Sequence, residues 1–152
     1  MPGGAAKDGT PLNMWTCLPS DQNQRWQFNP CISSLLGQVV WTAGNGQRYC
    51  LDITGGVGKA YTKMEIWQCD TKCNTADQNQ NQLFSFILDT QSETGQFMSF
   101  LNQSVCIAVA GGGKANGTGL ILWPCDKADA NQRFRFPNAQ PHANAHHRQR
   151  QQ

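Results

Sequence analysis

ITGGVGKAYTKMEIWQC, residues 53–69, decides the fold, because related copies stand at residues 1–17 (MPGGAAKDGTPLNMWTC) and 109–125 (VAGGGKANGTGLILWPC). All three are seventeen residues long and align without a gap. The glycine pairs coincide (Gly3-Gly4, Gly55-Gly56, Gly111-Gly112), and so do the Trp-x-Cys endings at Trp15/Cys17, Trp67/Cys69 and Trp123/Cys125. A second motif, Asn-Gln-x-aromatic-x-Phe, follows each copy, starting at Asn23, Asn81 and Asn131. The tryptophans are spaced by 52 and then 56 residues. A period of this size marks a repeat architecture, here three units.

Each unit reads as β. Runs such as Leu120-Ile121-Leu122-Trp123 are apolar or aromatic and are bounded by Gly, Asn, Asp and Pro. No helical period extends over ten residues. Short strands separated by turns predict a closed or nearly closed all-β body, which leaves few free edges.

At 152 residues the chain suits one domain with a real core, and 39% hydrophobic residues are enough to fill it. Charged residues make up only 14% and the net charge is +2, with Arg148 and Arg150 in a polar C-terminal segment. A basic face for nucleic acid is absent, and no apolar run reaches membrane-spanning length. Seven cysteines at repeating spacings point to disulfides and an oxidising compartment. The sequons Asn102-Gln-Ser104 and Asn116-Gly-Thr118 fit that compartment, although MPGGAAKDGTP lacks the apolar centre of a signal peptide. Repeats two and three open with Cys50 and Cys106, three residues before the aligned stretch; in repeat one those residues fall before Met1. The alignment therefore predicts a Cys-x-Asp strand ahead of Met1. It leaves repeat one short of a strand, an acid and the partner of Cys17.

Cys50-Leu51-Asp52, Trp67-Gln68-Cys69 and the motifs Gln24-Arg25-Trp26, Gln82-Leu83-Phe84 and Gln132-Arg133-Phe134 resemble the ricin-type β-trefoil lectin and carbohydrate-binding module. The resemblance spans about Met1 to Phe136. It implies an all-β trefoil of three pseudo-equivalent repeats, with up to one shallow sugar site per repeat. No cofactor is expected, and no metal either, since no histidine or further cysteine pair lies at ligand spacing from Cys69-x3-Cys73. The expected domain is 1–137, with repeats at about 1–30, 31–88 and 89–137, followed by a disordered polar tail at 138–152. By the same resemblance Trp26, Phe84 and Phe134 are core aromatics, and Cys50–Cys69 and Cys106–Cys125 are disulfides within their repeats. Cys17, Cys31 and Cys73 remain, an odd number, and Cys31–Cys73 is one pairing open to them.

A neutral sugar offers hydroxyls and a C–H face, so its site needs a carboxylate, an amide and a planar ring close together. Repeat two supplies Asp52, Asn81 and Trp67, with Gln82 to hold Asp52. Glu65, two residues before Trp67, shares its face on a strand. Taken alone, Asp52 also reads as a turn residue before Gly55-Gly56. Partial sites remain in repeat one (Asn13, Trp15, Asn23, Gln24) and in repeat three (Trp123, Asn131, Gln132). Repeat three has Ala108 and Ile121 where repeat two has Asp52 and Glu65, and reads as degenerate. Cys69 and Asn81 are twelve apart, against six in the other repeats, so the insertion TKCNTADQ reshapes or covers the rim.

Enzyme motifs are absent, and His142, His146 and His147 all sit in the tail. The expectation is a secreted, non-catalytic protein that binds glycans or polysaccharide of a galactose-like or xylan type. A trefoil that serves protein interaction and a module cut from a secreted glycosidase are the alternatives.

Overall fold

A computed structural model describes residues 6–72, 80–89, 92 and 94–135. Cys73, most of the insertion in repeat two, the three histidines and the tail lie outside the described residues.

Among the described residues ten strands run in chain order: β1 (Thr10–Pro11), β2 (Trp26–Ser33), β3 (Leu36–Thr42), β4 (Arg48–Ile53), β5 (Met64–Gln68), β6 (Phe84–Asp89), β7 (Thr94–Ser99), β8 (Val105–Val109), β9 (Leu120–Pro124) and β10 (Phe134–Arg135). They form one antiparallel sheet in the order β1-β5-β4-β3-β6-β7-β8-β9, with β2 on β3 and β10 on β7.

The three aligned segments close this sheet into a ring. Pro11 pairs with Glu65, Lys63 with Ile121, and Gly119 with Asn13. In the seventeen-residue alignment these are one contact made three times, each repeat passing its chain to the next. The backbone bonds repeat as well: Gly9 N donates to Ile66 O at 2.9 Å, Tyr61 N to Leu122 O at 2.8 Å, and Gly117 N to Met14 O at 3.0 Å. Gapless register in the sequence is thus the register of barrel closure, and the all-β trefoil is the observed architecture. No described strand lies along the outer edge of Met14–Leu18, where β4 and β8 cover the corresponding edges of repeats two and three.

Alternation makes the core. On β4 and β5, Leu51, Ile53, Met64 and Ile66 point inward, at 0–5% exposure, while Glu65 and Trp67 point out. Each such inward side chain contributes about 2 kcal/mol of burial. Phe84, Phe86 and Phe97 add an aromatic layer. Of the expected core aromatics, Phe84 is fully buried, whereas Trp26 and Phe134 are partly buried against the cluster. The turn between β4 and β5 needs its glycine pair, because Gly55 and Gly56 have φ of 64° and 63°; Gly111 and Gly112 repeat this at 58° and 63°.

One side chain caps a free edge N–H in two of the three repeats. Gln68 N donates to Asp8 Oδ1 at 2.7 Å, and Thr16 N donates to Asn116 Oδ1 at 2.7 Å. The third pair of positions holds Pro124, which has no N–H, and Ala60, which has no acceptor. Donor and cap are lost together, so no buried polar group is orphaned.

Candidate functional site

Repeat two carries its polar groups on one face of the β4–β5 pair. Cys50 lies across from Trp67 and Asp52 across from Glu65, so all four side chains project to the same side. Asp52 sits within β4 rather than in the glycine turn. The Cys50–Cys69 disulfide fastens the base of the hairpin, and Cys106–Cys125 does the same in repeat three. Cys31 is disulfide-bonded, while its candidate partner Cys73 lies outside the described residues. Cys17 is free and exposed.

Asp52 is held by two neighbouring amides. Asn81 Nδ2 donates to both of its oxygens, at 2.9 and 3.0 Å, and Gln82 Nε2 donates to Oδ2 at 2.9 Å. Its exposure is only 3%. Burial raises the pKa of Asp52; the bonds from Gln82 and Asn81 pull it back, and the nearby Glu65 and Asp8 charges push it up again. Glu65 is half-buried and has no hydrogen-bond partner among the described residues. Trp67 is 45% exposed beside it. The surface therefore offers a flat ring and an uncommitted carboxylate, backed by a second carboxylate already bonded from behind.

Gln82 is fully buried and serves as the brace. Its Oε1 accepts from Asp70 N at 3.0 Å and its Nε2 donates to Gln68 O at 3.1 Å as well as to Asp52. Repeat three repeats the brace, with Gln132 Oε1 accepting from Asp126 N and Nε2 donating to Pro124 O. Repeat one does the same through Gln24, Leu18 N and Thr16 O. Two further glutamines reinforce it: Gln38 Nε2 donates to Gln82 Oε1 at 3.4 Å, and Gln96 Nε2 to Gln132 Oε1 at 2.9 Å. Sequence reasoning missed both of these. The signal was the pair Gly37-Gln38 and Gly95-Gln96, a repeat outside the aligned windows.

A family model for the ricin-type beta-trefoil lectin domain matches residues 37–151. The chain belongs to that family. Carbohydrate binding is the function the lectin family suggests; its domains are typically non-catalytic and often extracellular, which the Cys50–Cys69 and Cys106–Cys125 disulfides fit. A solved structure described as a designed 3-fold symmetric protein, ThreeFoil, matches with a TM-score of 0.72 at 13% identity, over 88% of this chain and 85% of that one, a likeness of fold. No curated protein matches.

Within this lectin domain the other two repeats keep fewer of the parts. In repeat three Ala108 and Ile121 leave the strand pair without a carboxylate, and Trp123 is half-buried, edge-on to Tyr61 at 4.5 Å. A cavity of about 350 Å³ lies there, lined in part by Tyr61, Trp123, Asn131 and Asp129. Asp129 is already committed, accepting from Asn131 N at 2.8 Å and Gln132 Nε2 at 3.3 Å. Tyr61, in the left-handed region at φ 69°, was not singled out by sequence reasoning. In repeat one Trp15 is 46% exposed, Asn13 pairs with Gly119, and the backbone N–H of Asn23 donates to Asp21. Among the described residues no cluster of His, Cys, Asp or Glu is placed to hold a metal, and no helix is long and apolar enough to cross a membrane.

Proposed function

We propose that this lectin domain binds a neutral sugar reversibly through repeat two, as an extracellular glycan- or polysaccharide-binding protein. Trp67 stacks on the C–H face of the ring. Glu65 accepts from hydroxyls at the surface, and Asn81 lends its remaining amide capacity. Asp52 orients Asn81 from below and serves as the deeper acceptor. Galactose-like or xylan-type units, which pair adjacent hydroxyls with an apolar face, are the preferred class. One shallow site of this kind binds with Kd around millimolar, about −4 kcal/mol.

The observation that carries the reading is the alignment of exposed Trp67 with Glu65 and the braced Asp52 on one face of a single strand pair. Repeats one and three each lack the carboxylate pair, so repeat two dominates. The test is a glycan array and titration calorimetry with the full chain, Trp67→Ala and Glu65→Gln. Saturable binding lost in both variants supports the reading. The absence of saturable binding to any glycan favours a trefoil that serves protein interaction.

A further inference from the structure

The chain passes from one repeat to the next at Gly9, Tyr61 and Gly117, whose backbone N–H groups make the three closure bonds. All three residues have positive φ, at 79°, 69° and 89°. Glycine takes that conformation freely, whereas a bulky side chain is strained there. Tyr61 is the one residue other than glycine with positive φ among the described residues. Its ring is 71% exposed and stands edge-on to Trp123, with centroids 4.5 Å apart and planes at 80°. The position faces the neighbouring repeat's cleft in repeat one too, where a Cβ on Gly9 would stand 4.0 Å from Glu65 Oε2. Strained residues of this kind cluster at ligand-binding sites.

The cavity of about 350 Å³ at this corner differs in chemistry from the face of repeat two. Ala108 and Ile121 line it beside the two rings, together with one carboxylate, Asp129, and no basic side chain. Asp129 accepts hydrogen bonds from neutral donors, Asn131 N at 2.8 Å and Gln132 Nε2 at 3.3 Å, and makes no ion pair among the described residues. Asn131 is released as well. Asn81 gives its amide to Asp52, but Ala108 stands in that place in repeat three. The Asn131 side chain therefore has no hydrogen-bond partner among the described residues. Its amide lies over Gly112 instead, with Nδ2 and Oδ1 each 3.1 Å from where a Cβ would stand.

We propose that the Tyr61–Trp123 corner binds a quaternary ammonium group, such as choline carries. Aromatic faces attract a cation through their quadrupoles, most strongly where water is excluded. Two rings near a right angle give a methylated cation two walls, and Asp129 supplies a negative charge beside them that no basic group neutralises. The apolar lining sets the substitution on nitrogen. A primary ammonium brings three donors that need acceptors, and Ala108 and Ile121 offer none from their side chains. A quaternary ammonium brings no donor, and its methyl groups bury against the same surface. Asn131 keeps a donor and an acceptor for the polar remainder of the ligand. Repeat three thus exchanges recognition of hydroxyls by a carboxylate pair for recognition of a cation, and this holds independently of the sugar reading of repeat two.

The experiment titrates the full chain with choline chloride at constant total chloride and follows the tryptophan indole N–H signals by heteronuclear NMR. The control is the uncharged isostere of choline, in which carbon replaces the ammonium nitrogen. The Trp123 signal is expected to shift saturably, with Kd of about 10 mM or tighter, and the isostere to bind about tenfold more weakly or not at all. Tyr61→Gly removes one wall at a position where glycine stands in the other two repeats, and is expected to weaken choline binding about fivefold or more. Asp129→Asn keeps the shape and is expected to weaken it several-fold. Dioleoyl phosphatidylcholine vesicles separate the sources of the group. Sedimentation with them that Tyr61→Gly abolishes supports a lipid headgroup as ligand, and choline binding without sedimentation supports the free compound. Equal affinity for choline and its isostere overturns the proposal, and so does choline binding unchanged by Tyr61→Gly. A Trp123 signal that choline does not move, or that galactose or xylose moves at lower concentration, overturns it as well.

Discussion

Gln82 Nε2 reaches Asp52 Oδ2 at 2.9 Å across thirty positions of sequence, and the same amide ties Asp70 N and Gln68 O. One buried side chain thus couples the end of the Trp-x-Cys strand to the carboxylate behind the site. Removing it leaves a buried carboxylate and two backbone groups short of partners. Gln82→Ala is expected to cost about 2–4 kcal/mol, more than a single neutral hydrogen bond, because buried groups are stranded. Gln24→Ala removes the same brace at an exposed edge and is expected to cost about 1 kcal/mol or less. Urea unfolding of the two variants checks the contrast; equal losses contradict it.

Binding and stability separate at the site itself. Trp67 is 45% exposed, so Trp67→Ala is expected to change the melting temperature little and to weaken glycan binding about tenfold or more. Glu65→Gln retains shape and is expected to weaken binding several-fold. Asp52→Ala is expected to lose both, since Asn81 Nδ2 loses both of its contacts to the carboxylate and Gln82 Nε2 keeps only Gln68 O. Calorimetric titration beside thermal unfolding reads the two effects. A Trp67→Ala protein that binds as well as the parent removes the platform from the mechanism.

Much of this was legible in the sequence because the molecule repeats itself. The gapless window became the ring contact Pro11–Glu65, Lys63–Ile121 and Gly119–Asn13, and period-two alternation in MEIWQ put Glu65 and Trp67 on one face. The depth of Asp52 was not legible. Its burial depends on Asn81 and Gln82, which come from a segment some thirty residues on. Sequence alone assigned hydroxyl binding first to Asp52; the side chain is only 3% exposed, and in the proposed reading Glu65 is the surface acceptor. Tyr61 escaped notice because its contact with Trp123 crosses from one repeat to the next, and no spacing within a repeat encodes it.

Asp52 also sets a pH dependence. Its folded-state pKa is raised above the ordinary 3.8, burial being the largest cause. Between 3.8 and the raised value the folded protein keeps a proton that the unfolded chain has released, so stability from this group falls as pH rises. The contribution is fully present below 3.8 and is lost as pH passes through the folded-state pKa. Asp52→Asn removes this titration. The unfolding free energy of the parent minus that of the variant, measured in urea between about pH 3 and pH 8, should decline through that window and then level off. A difference that rises with pH there reverses the sign and places a stabilised carboxylate in the folded state.

The Gly-Gln pairs offer a test of packing independent of the site. A Cβ on Gly95 would stand 2.5 Å from Phe86 Cζ and 2.7 Å from Ile87 O, and one on Gly37 would run into the Asn29 carbonyl. Neither glycine has positive φ, so the requirement is close approach between strands rather than turn conformation. Gly95→Ala must displace a core phenylalanine and a strand carbonyl, and about 1–3 kcal/mol of destabilisation is expected. Gly44→Ala meets nothing within 4 Å at ordinary φ, and is expected to be neutral or to stabilise by a few tenths of a kcal/mol, since alanine restricts the unfolded chain. Gly95 precedes Gln96, which braces Gln132, so a shift of β7 reaches repeat three without touching it. Chemical denaturation ranks the two variants, and a Gly95→Ala protein as stable as the parent shows that the β6–β7 contact yields more readily than its spacing indicates.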